Sequence, residues 1–377
     1  MLTIFCLIFR GKDEIISPKF MGIKGNIMKK NQNTAKKKGG KSKSRAGKIV
    51  LGFMIGLLST VAVGVIFGIV YFNHMYDKMP VLPSQESWIS FDDSSMESYQ
   101  EILPDEAYDP ALKNILLIGS DTRELGEFWG NTDTMILVTI DNINQKLKLT
   151  SFMRDIVINI PGYGEGRLNM TYALGGPDLL IGTLESTFGI KIDDFVIINF
   201  EGFASVIDAV GGIDIEMTAL EIYYMSPEFF WESGYYPVDG MNYDVPGIVA
   251  LQYARCRDVG DDFERTQRQR IVIQTLLDKA RTMDVFRLND LASALLPNVY
   301  TSLSRASVLE LVANFGTYKN YPVEEMRVPV DGYWDNIYIV IEGWDQLCID
   351  IDFYENKRLF KQFIYEYEPS YGSSDVP

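Results

Sequence analysis

Histidine is almost absent from this sequence: His74 is the single histidine among 377 residues. A Ser-His-Asp triad, a Cys-His pair and a histidine-rich zinc site each need a histidine in the folded body. No histidine follows residue 74, so these three kinds of site are excluded there. Any chemistry must use carboxylates, arginine, lysine, tyrosine or a hard metal ion held by oxygen.

Cysteine is also scarce, with only Cys6, Cys256 and Cys348. The three form no C-x-x-C pair and no zinc-type spacing, which excludes a disulfide scaffold. We expect Cys256 to be a buried free thiol rather than the partner of Cys348 in a disulfide.

Charge is distributed unevenly along the chain. Residues 1–48 hold thirteen Lys/Arg and two acids, residues 49–72 hold no charged residue, and the remainder holds 22 Lys/Arg against 49 Asp/Glu. Residues 73–377 therefore carry a net charge of −27. A body this acidic is not suited to bind nucleic acid over its general surface, so no nucleic-acid partner is expected.

The uncharged segment 49–72 is long enough to cross a bilayer, and nine basic residues precede it. The positive-inside rule predicts a cytoplasmic basic arm 1–48, a single-pass plasma-membrane anchor 49–72 and an extracytoplasmic remainder. The arm would also be attracted to anionic membrane lipid. The alternative is a cleaved signal peptide, but its apolar region should be only about 7–15 residues and end at an A-x-A-like site. Met28, followed by KKNQNTAKKK, is an alternative start of translation.

The outer region begins with residues 73–110, whose prolines, serines and acids predict a spacer or small accessory element. A folded domain is expected over 111–366, followed by a tail, 367–377. The predicted strands are 114–119, 134–140, 146–152, 155–160, 195–200 and 213–217, and the predicted helices are 177–189, 201–212, 264–281, 286–297, 305–316 and 353–366. This alternation predicts an α/β fold, a three-layer sandwich with a mixed central β-sheet flanked by helices, preceded by one transmembrane helix.

Charged residues interrupt the predicted strands where they end or begin. Asp121 lies two residues after strand 114–119, Asp133 opens the next strand, and Arg154 lies where two strand-like runs meet. The strand ends are where α/β folds place their ligands. Each residue alone is more simply a turn residue, a helix cap or a surface ion-pair partner.

The segment 252–270, QYARCRDVGDDFERTQRQR, adds further arginines. If the segment is extended, Arg255 and Arg257 point to the same side, where an anion between them would relieve their repulsion. In the helix that follows, Gln269 falls at the centre of the apolar stripe and Arg265 near its edge. Polar groups at such positions need partners. Together, the arginines and aspartates predict a pyrophosphate held by arginine and a divalent cation.

These motifs resemble the LytR-CpsA-Psr family of membrane-anchored phosphotransferases of bacterial cell envelopes. The resemblance runs from about Asn114 to Ala280 and rests on NILLIGSDTR, NTDTMILVTID, LTSFMRD, RLNMTYALGG, INFEGFASVIDAVGGIDIEM, ALQYARCR and DFERTQRQR. It implies that residues 111–366 are the catalytic domain. The chain departs from the family at Met153, where proline is usual, at Glu264, where glycine is usual, and in the aromatic-rich loop 218–246.

The resemblance implies transfer of a glycan phosphate from a polyprenyl-pyrophosphate-linked glycopolymer to a peptidoglycan hydroxyl, with release of polyprenyl phosphate. It implies that Asp121 and Asp133 hold Mg²⁺ (or Mn²⁺). The residues implied to bind the pyrophosphate are Arg123, Arg154, Arg255, Arg257, Arg265 and Gln269. The residues implied to be catalytic are Asp121, Asp133, Arg154 and Arg257.

Two other functions fit the same residues. A pyrophosphatase would give the phosphoryl group to water, and a regulatory membrane protein would bind the lipid pyrophosphate without turnover. The sequence also leaves open which glycopolymer is carried (teichoic acid, capsule or another secondary glycan) and which aspartate accepts the proton of the acceptor hydroxyl.

Overall fold

The computed structural model describes residues 60, 63–80, 111–120, 130–341 and 343–366. The predictions that lie outside these residues are the basic arm 1–48 with Met28, most of the anchor 49–72, most of the spacer 73–110, Asp121, Arg123 and the tail 367–377.

The chain divides into two units, residues 1–74 and 75–377. In the first unit residues 63–74 are helical. Apolar side chains on several sides of this helix are exposed: Val63, Val65, Ile66, Phe67, Ile69 and Val70. Within the described residues, no helix combines the length and the apolar character needed to cross a membrane.

The second unit is built around a mixed six-stranded sheet with the order β10-β3-β2-β1-β6-β9. These strands are β1 (Leu112–Ser120), β2 (Thr132–Asp141), β3 (Lys146–Phe152), β6 (Asp194–Asn199), β9 (Val299–Thr301) and β10 (Val323–Val328). β2 runs antiparallel to β1 and β3, and β9 runs antiparallel to β6, whereas β6 is parallel to β1 and β10 is parallel to β3. The mixed central sheet predicted from the sequence is confirmed.

Three two-stranded sheets complete the β-structure of the described residues. They are formed by β4 (Val157–Ile160) with β5 (Gly164–Arg167), β7 (Ile213–Met217) with β8 (Gly240–Val245), and β11 (Trp334–Ile341) with β12 (Trp344–Ile351). The sequence prediction missed β5 and β8 to β12, several of which are short or carry exposed polar residues that weaken the strand pattern.

The helices are α1 (Met170–Phe188), α2 (Phe200–Ala209), α3 (Ala219–Tyr224), α4 (Pro227–Ser233), α5 (Gly247–Arg255), α6 (Asp262–Arg281), α7 (Val285–Leu295), α8 (Arg305–Tyr318) and α9 (Phe353–Tyr365). Helix α1 contains a kink at Gly175 and Gly176 before Pro177, because proline cannot continue the hydrogen bonding of the preceding turn. The predicted helix 177–189 is the part after this kink.

Strand alternation sends the side chains of the sheet to two faces. On one face, Leu116 and Leu137 pack with Leu180 of α1 and Phe360 of α9 in the largest core cluster. On the other face, Ile115 packs in a smaller cluster against which residues of α8 lie. Helices therefore cover both faces of the sheet, which gives the helix–sheet–helix arrangement expected from the alternation of strands and helices.

A second large core lies among α2, the β7–β8 hairpin and helices α4 to α6. Its buried residues include Ile207, Ile215, Phe230, Val249 and Val272. This second core fixes α5 and the start of α6, and therefore the segment between them, relative to α2.

Candidate active site

Several strand ends meet at one edge of the central sheet. Ser120 at the end of β1 pairs with Thr132 at the start of β2 and with Asn199 at the end of β6. Phe152, at the end of β3, pairs with Met135 of β2 and Val328 of β10. The residues that begin β2 and follow β3 and β6 are therefore brought together at this edge.

Asp133 is at the centre of the charged residues at this edge. Its Oδ1 accepts a hydrogen bond from Nη1 of Arg154 at 2.7 Å, and its Oδ2 accepts one from Nη2 of Arg257 at 2.8 Å. These three residues come from β2, the turn after β3 and the segment after α5. The structure therefore places three of the sequence-predicted site residues in direct contact.

Arg154 extends the network to two further carboxylates. Its Nε donates to Asp155 at 3.1 Å, and its Nη2 lies 3.6 Å from Oδ1 of Asp262. Asp155 is also 3.3 Å from Nη1 of Arg167, at the end of β5. One guanidinium group thus joins three aspartates from separate parts of the chain.

Arg265 enters the network through Asp262, three residues earlier on α6. Nη2 of Arg265 donates to Asp262 at 2.9 Å, whereas its buried Nε has no hydrogen-bond partner among the described residues. Gln269 is buried one turn further along the same helix, so it lies on the same helix face as Arg265. The first turns of α6 therefore present polar groups next to the network.

The sequence predicted an extended segment in which the side chains of Arg255 and Arg257 point to the same side, and this prediction is wrong. Arg255 is the last residue of α5, and its guanidinium stacks 4.0 Å above the ring of Phe200. Arg257 lies beyond the helix end and pairs with Asp133. Tyr253 and Ala254 pack in the second core, which stabilises helical structure where the polar sequence pattern indicated an extended one. Cys256 between the arginines is buried and unpaired, as is Cys348.

The segment 256–261, which carries Arg257, is held by a buried arginine that the sequence prediction missed. Arg268 of α6 is only 4% exposed. Its Nη2 donates to the carbonyls of Cys256 at 2.6 Å and Val259 at 2.9 Å, and its Nη1 lies 3.4 Å from Glu221. Arg268 therefore fixes the backbone on both sides of Arg257.

Helix α6 begins immediately after this segment with a capping box. Asp261 accepts hydrogen bonds from the amides of Phe263 and Glu264, and Glu264 accepts one from the amide of Asp261 at 2.7 Å. Glu264, where the family usually has glycine, therefore stabilises the start of α6. Met153, the second departure, uses its amide to donate to Val328 at 2.9 Å, a bond that proline could not form.

Among the residues that the structure describes, the network carries more positive than negative charge. Four guanidinium groups (Arg154, Arg167, Arg257 and Arg265) contact three carboxylates (Asp133, Asp155 and Asp262). Arg257 is 54% exposed at its side chain, and the buried Nε of Arg265 has no partner in the described part of the chain. The arrangement leaves donors for an anion with several oxygens.

The environment moves the pKa values of two site carboxylates in opposite directions. Burial by itself would raise the pKa of Asp133, but the hydrogen bond and charge of Arg154, with the charges of Arg257 and Arg265, hold it below its usual value. Burial raises the pKa of Asp262, against the opposing charges of Arg265 and Arg154. Burial also lowers the pKa of the Arg265 guanidinium.

The donor chemistry at Asp133 fits a hard divalent cation. The carboxylate is ionised, and each of its oxygens accepts one guanidinium hydrogen bond, which leaves further lone pairs available. Asp121, the second predicted metal ligand, lies outside the described residues. Within those residues, no group of three Asp, Glu, His or Cys side chains is arranged to hold a metal ion.

Apart from Arg268, three contributors to the site were not predicted: Asp262, Arg167 and Phe200. Asp262 had a sequence signal, since it precedes Arg265 by three residues, the spacing of an ion pair on one helix face. The contacts of Arg167 and Phe200 join residues far apart in the chain, so no local pattern indicates them.

Comparison with known proteins identifies the family. The LytR_cpsA_psr family model matches residues 87–347. The chain is 30% identical over 255 residues to "Regulatory protein MsrR" of Staphylococcus aureus (strain COL), covering 67% of this chain and 74% of that protein. The chain belongs to the LytR-CpsA-Psr family, as its motifs indicated.

Two further similarities concern a named transferase and a solved structure. "Polyisoprenyl-teichoic acid--peptidoglycan teichoic acid transferase TagU" of Bacillus anthracis (strain CDC 684 / NRRL 3495) is 29% identical over 292 residues, covering 76% of this chain and 89% of that protein. The structure of TagT (YwtF) from Bacillus subtilis with bound octaprenyl pyrophosphate lipid is 21% identical with a TM-score of 0.52, covering 70% of this chain and 95% of that one. At this identity the second similarity shows a shared fold.

Proposed function

We propose that this protein transfers a glycan phosphate from a polyprenyl-pyrophosphate-linked glycopolymer to a peptidoglycan hydroxyl and releases polyprenyl phosphate. The observation that carries the proposal is the arginine-rich network around Asp133 at the strand ends. The name of the relative TagU and the octaprenyl pyrophosphate bound by TagT support the same substrate class.

The network is suited to bind a diphosphate. Arg257 is the most exposed of the four arginines in the network, so it can exchange its bond to Asp133 for one to a phosphate oxygen. Nε of Arg265, which no described residue contacts by a hydrogen bond, supplies a buried donor. Charge-assisted hydrogen bonds of this kind are stronger than neutral ones. Arg123, predicted for the same role, lies outside the described residues.

In the reaction, the acceptor hydroxyl oxygen attacks the phosphorus that carries the glycan. A new P–O bond forms, the bond from that phosphorus to the bridging oxygen breaks, and its electron pair leaves with polyprenyl phosphate. Arg154 and Arg257 neutralise the charge that develops on the phosphate oxygens. These residues therefore act by positioning and charge rather than by covalent chemistry.

The hydroxyl proton passes to a carboxylate of the site. Asp133, with its lowered pKa, is a weak base that remains ionised and holds the arginines. Asp262, with its raised pKa, is the better proton acceptor of the two, because a base is most effective when its pKa approaches the working pH.

We also propose Mg²⁺ or Mn²⁺ as the cofactor, held by Asp133 and Asp121 with substrate oxygens and water. A bound ion would supply neutralisation of the diphosphate charge. Asp133 contributes an ionised carboxylate that Arg154 and Arg257 orient from both sides.

The protein's place in the cell envelope follows from the proposed anchor. We propose that residues 49–72 cross the plasma membrane once, with residues 1–48 in the cytoplasm. The exposed apolar side chains around helix 63–74 support this, because a helix that is apolar on all sides needs an apolar environment. A reporter fused after residue 377 should be active outside the cytoplasm, and mature protein cleaved near residue 75 and found free in the medium would contradict the anchor.

The transfer proposal is tested with the full chain in detergent, a polyprenyl-pyrophosphate donor with a labelled glycan, and peptidoglycan freed of attached polymer. Label should become covalently attached to sedimented peptidoglycan, with one polyprenyl phosphate released per glycan attached. Release of free glycan phosphate without attachment would instead indicate a pyrophosphatase. Donor binding without either product would indicate a binding protein.

A further inference from the structure

Residues 214–244 differ in composition from the rest of the second unit. The segment contains seven acids and eight aromatic residues but no lysine, arginine or histidine. Five of its rings are exposed, from 45% at Tyr224 to 78% at Tyr223. We name Tyr223, Tyr224, Trp231, Tyr236 and Tyr243 the aromatic surface. These five residues lie within one 21-residue stretch of the chain, and the rings of Tyr223 and Tyr224 contact each other with centroids 5.2 Å apart. Exposed apolar groups that cluster on a surface mark interaction sites.

The backbone that carries the aromatic surface is well fixed. Asn242 bonds the amide and carbonyl of Val238 at 2.8 Å each, and the hydroxyl of Tyr235 donates to the carbonyl of Tyr243 at 3.1 Å. Beneath the exposed rings, Met225 and Phe230 are buried in the second core. Rigid aromatic side chains on a fixed backbone lose little conformational entropy when they bind a partner.

The charge of the segment selects among possible partners. Glu221 and Asp244 pair with Arg268 and Lys279 from outside the segment. The other five carboxylates, with no cation in the segment, repel anionic lipid and a phosphate-bearing polymer. Carboxylates accept hydrogen bonds from hydroxyl and amide groups, and phenol and indole rings offer flat apolar faces with a polar edge. A neutral glycan, which presents apolar ring faces and hydroxyl and amide donors, matches this chemistry.

The aromatic surface is connected to the site by two routes. Glu221, two residues before Tyr223, contacts Arg268 at 3.4 Å, and Arg268 holds the carbonyls on both sides of Arg257. Helix α5 begins shortly after Tyr243 and ends at Arg255, a length of about 12 Å. A polymer of several sugars bound at this surface could therefore extend along α5 to the segment that carries Arg257.

We propose that the aromatic surface binds the acceptor glycan, a neutral stretch of the peptidoglycan strand, next to the site. This inference rests on the proposed transfer function for the identity of the acceptor. The binding itself requires no turnover, so the two can be tested separately.

The test uses the full chain in detergent, with sedimentation on peptidoglycan freed of attached polymer. The double variant Trp231→Ala/Tyr236→Ala should bind about tenfold more weakly, the change that ~1.4 kcal/mol of lost contact produces. Its affinity for the lipid donor should stay unchanged. Trp231→Phe should retain most of the binding, which separates ring contact from a folding defect. The matched control is Trp344→Ala, at a tryptophan that is 76% exposed on the β11–β12 hairpin, and it should bind like the wild type.

Equal binding by the double variant and the wild type would overturn the inference, as would an equal loss in Trp344→Ala. A wild type that does not sediment with peptidoglycan would also overturn it and would leave another protein as the partner of this surface. If the wild type binds peptidoglycan through Trp231 but transfers no glycan, the inference stands and the proposed function fails. If the double variant transfers glycan with the same dependence on peptidoglycan concentration as the wild type, the inference fails and the proposed function stands.

Discussion

Strands β2 and β3 carry ion-paired residues at both of their ends, and the two ends differ in how completely those residues are paired. At the end opposite the site, Nζ of Lys148 contacts Asp141 at 2.8 Å, the carbonyl of Ile364 at 2.7 Å and Glu366 at 3.0 Å. Neither Lys148 nor Asp141 is exposed at its side chain. Three acceptors match the three donors of an ammonium group, so every donor of Lys148 has a partner. We call this end of the two strands the closed end.

At the site end, the pairing is incomplete. Asp133 is shared between Arg154 and Arg257, and the Arg257 side chain is 54% exposed. Arg265 keeps a buried nitrogen without a partner among the described residues. The comparison teaches that charged residues at the ends of the same strands stabilise the fold where every hydrogen-bond donor has an acceptor. They can bind a ligand where hydrogen-bond donors remain without one.

The largest expected effect comes from breaking the closed end. Lys148→Met removes the cation beside a carboxylate that is not exposed at all, so the free energy of unfolding should fall by about 3–5 kcal/mol. Thermal unfolding of the full chain measures this loss. The transfer rate per folded molecule should remain that of the wild type, because the substitution lies at the far end of both strands.

The double variant Lys148→Met/Asp141→Leu is the control for this loss. It should recover part of the stability by removing the buried charge, but not all, because Asp141 also accepts bonds from the amides of Ile143 and Asn144. A Lys148→Met protein that melts like the wild type but fails in transfer would show that the two ends do not divide structure from function in this way.

At the site end, Arg257→Ala should produce the opposite pattern. Losing one charge contact to the transition state lowers transfer by about 100- to 1,000-fold. The melting temperature should change little, since an ion pair with a half-exposed partner contributes little to stability. Steady-state transfer assays with a parallel melting curve measure both quantities.

Arg358→Ala is the matched control for Arg257→Ala. It removes an ion pair with Glu355 on α9, away from the strand ends of the site, and should leave transfer unchanged. Extensive unfolding of Arg257→Ala with normal activity in the folded fraction would instead make Arg257 a structural residue.

Arg268 tests how the segment that carries Arg257 is held in place. Arg268→Gln loses the bonds to the carbonyls of Cys256 and Val259, so transfer should fall by about 10- to 100-fold, the scale for misplacing a catalytic group by roughly 1 Å. If Arg268 acts through Arg257, adding Arg268→Gln to Arg257→Ala should cause almost no further loss. Additive losses in the double variant would contradict a positioning role, and Arg268→Lys should restore part of the activity.

The difference between the two ends also explains how much the sequence could predict. Periodicity predicted β2 and β3 within two residues, because their apolar pattern is strong. It also marked Asp133 and Arg154 as polar interruptions near strand ends. It could not predict that Arg255 ends a helix, since the burial that stabilises α5 involves residues distant in sequence, nor that Arg268 reaches the carbonyls of Cys256 and Val259.

The smallest effect concerns the pH dependence of stability. Replacing an aspartate by asparagine should change the melting temperature in opposite directions at the two ends. Asp262 at the site has a raised pKa because of its burial. A raised carboxyl pKa means that the ionised form is disfavoured by folding. This cost is fully present above the folded pKa and disappears as the pH falls below the unfolded value, about 3.9.

Asp141 at the closed end has a lowered pKa, because the hydrogen bonds from Asn144 and Lys148 outweigh burial. Its ionised form therefore stabilises the protein above pH ~3.9, and that contribution is lost as the pH falls through the folded pKa. At neutral pH, Asp141→Asn should lower the melting temperature. Asp262→Asn should raise it, because the amide removes the cost of ionising a buried carboxyl group.

The Asp262→Asn difference should disappear as the pH is lowered toward 3, because the Asp262 carboxyl group is then protonated in both the folded and the unfolded state. The Asp141→Asn difference should begin to shrink only below pH ~3.9, because the lowered pKa keeps Asp141 ionised in the folded protein. Melting curves of the wild type and the two variants between neutral pH and pH 3 measure the sign at each end. A melting temperature lowered at neutral pH by both substitutions would mean that Asp262 is paired as completely as Asp141. The site end would then be closed like its counterpart, and its arginines would have no donors left for a diphosphate.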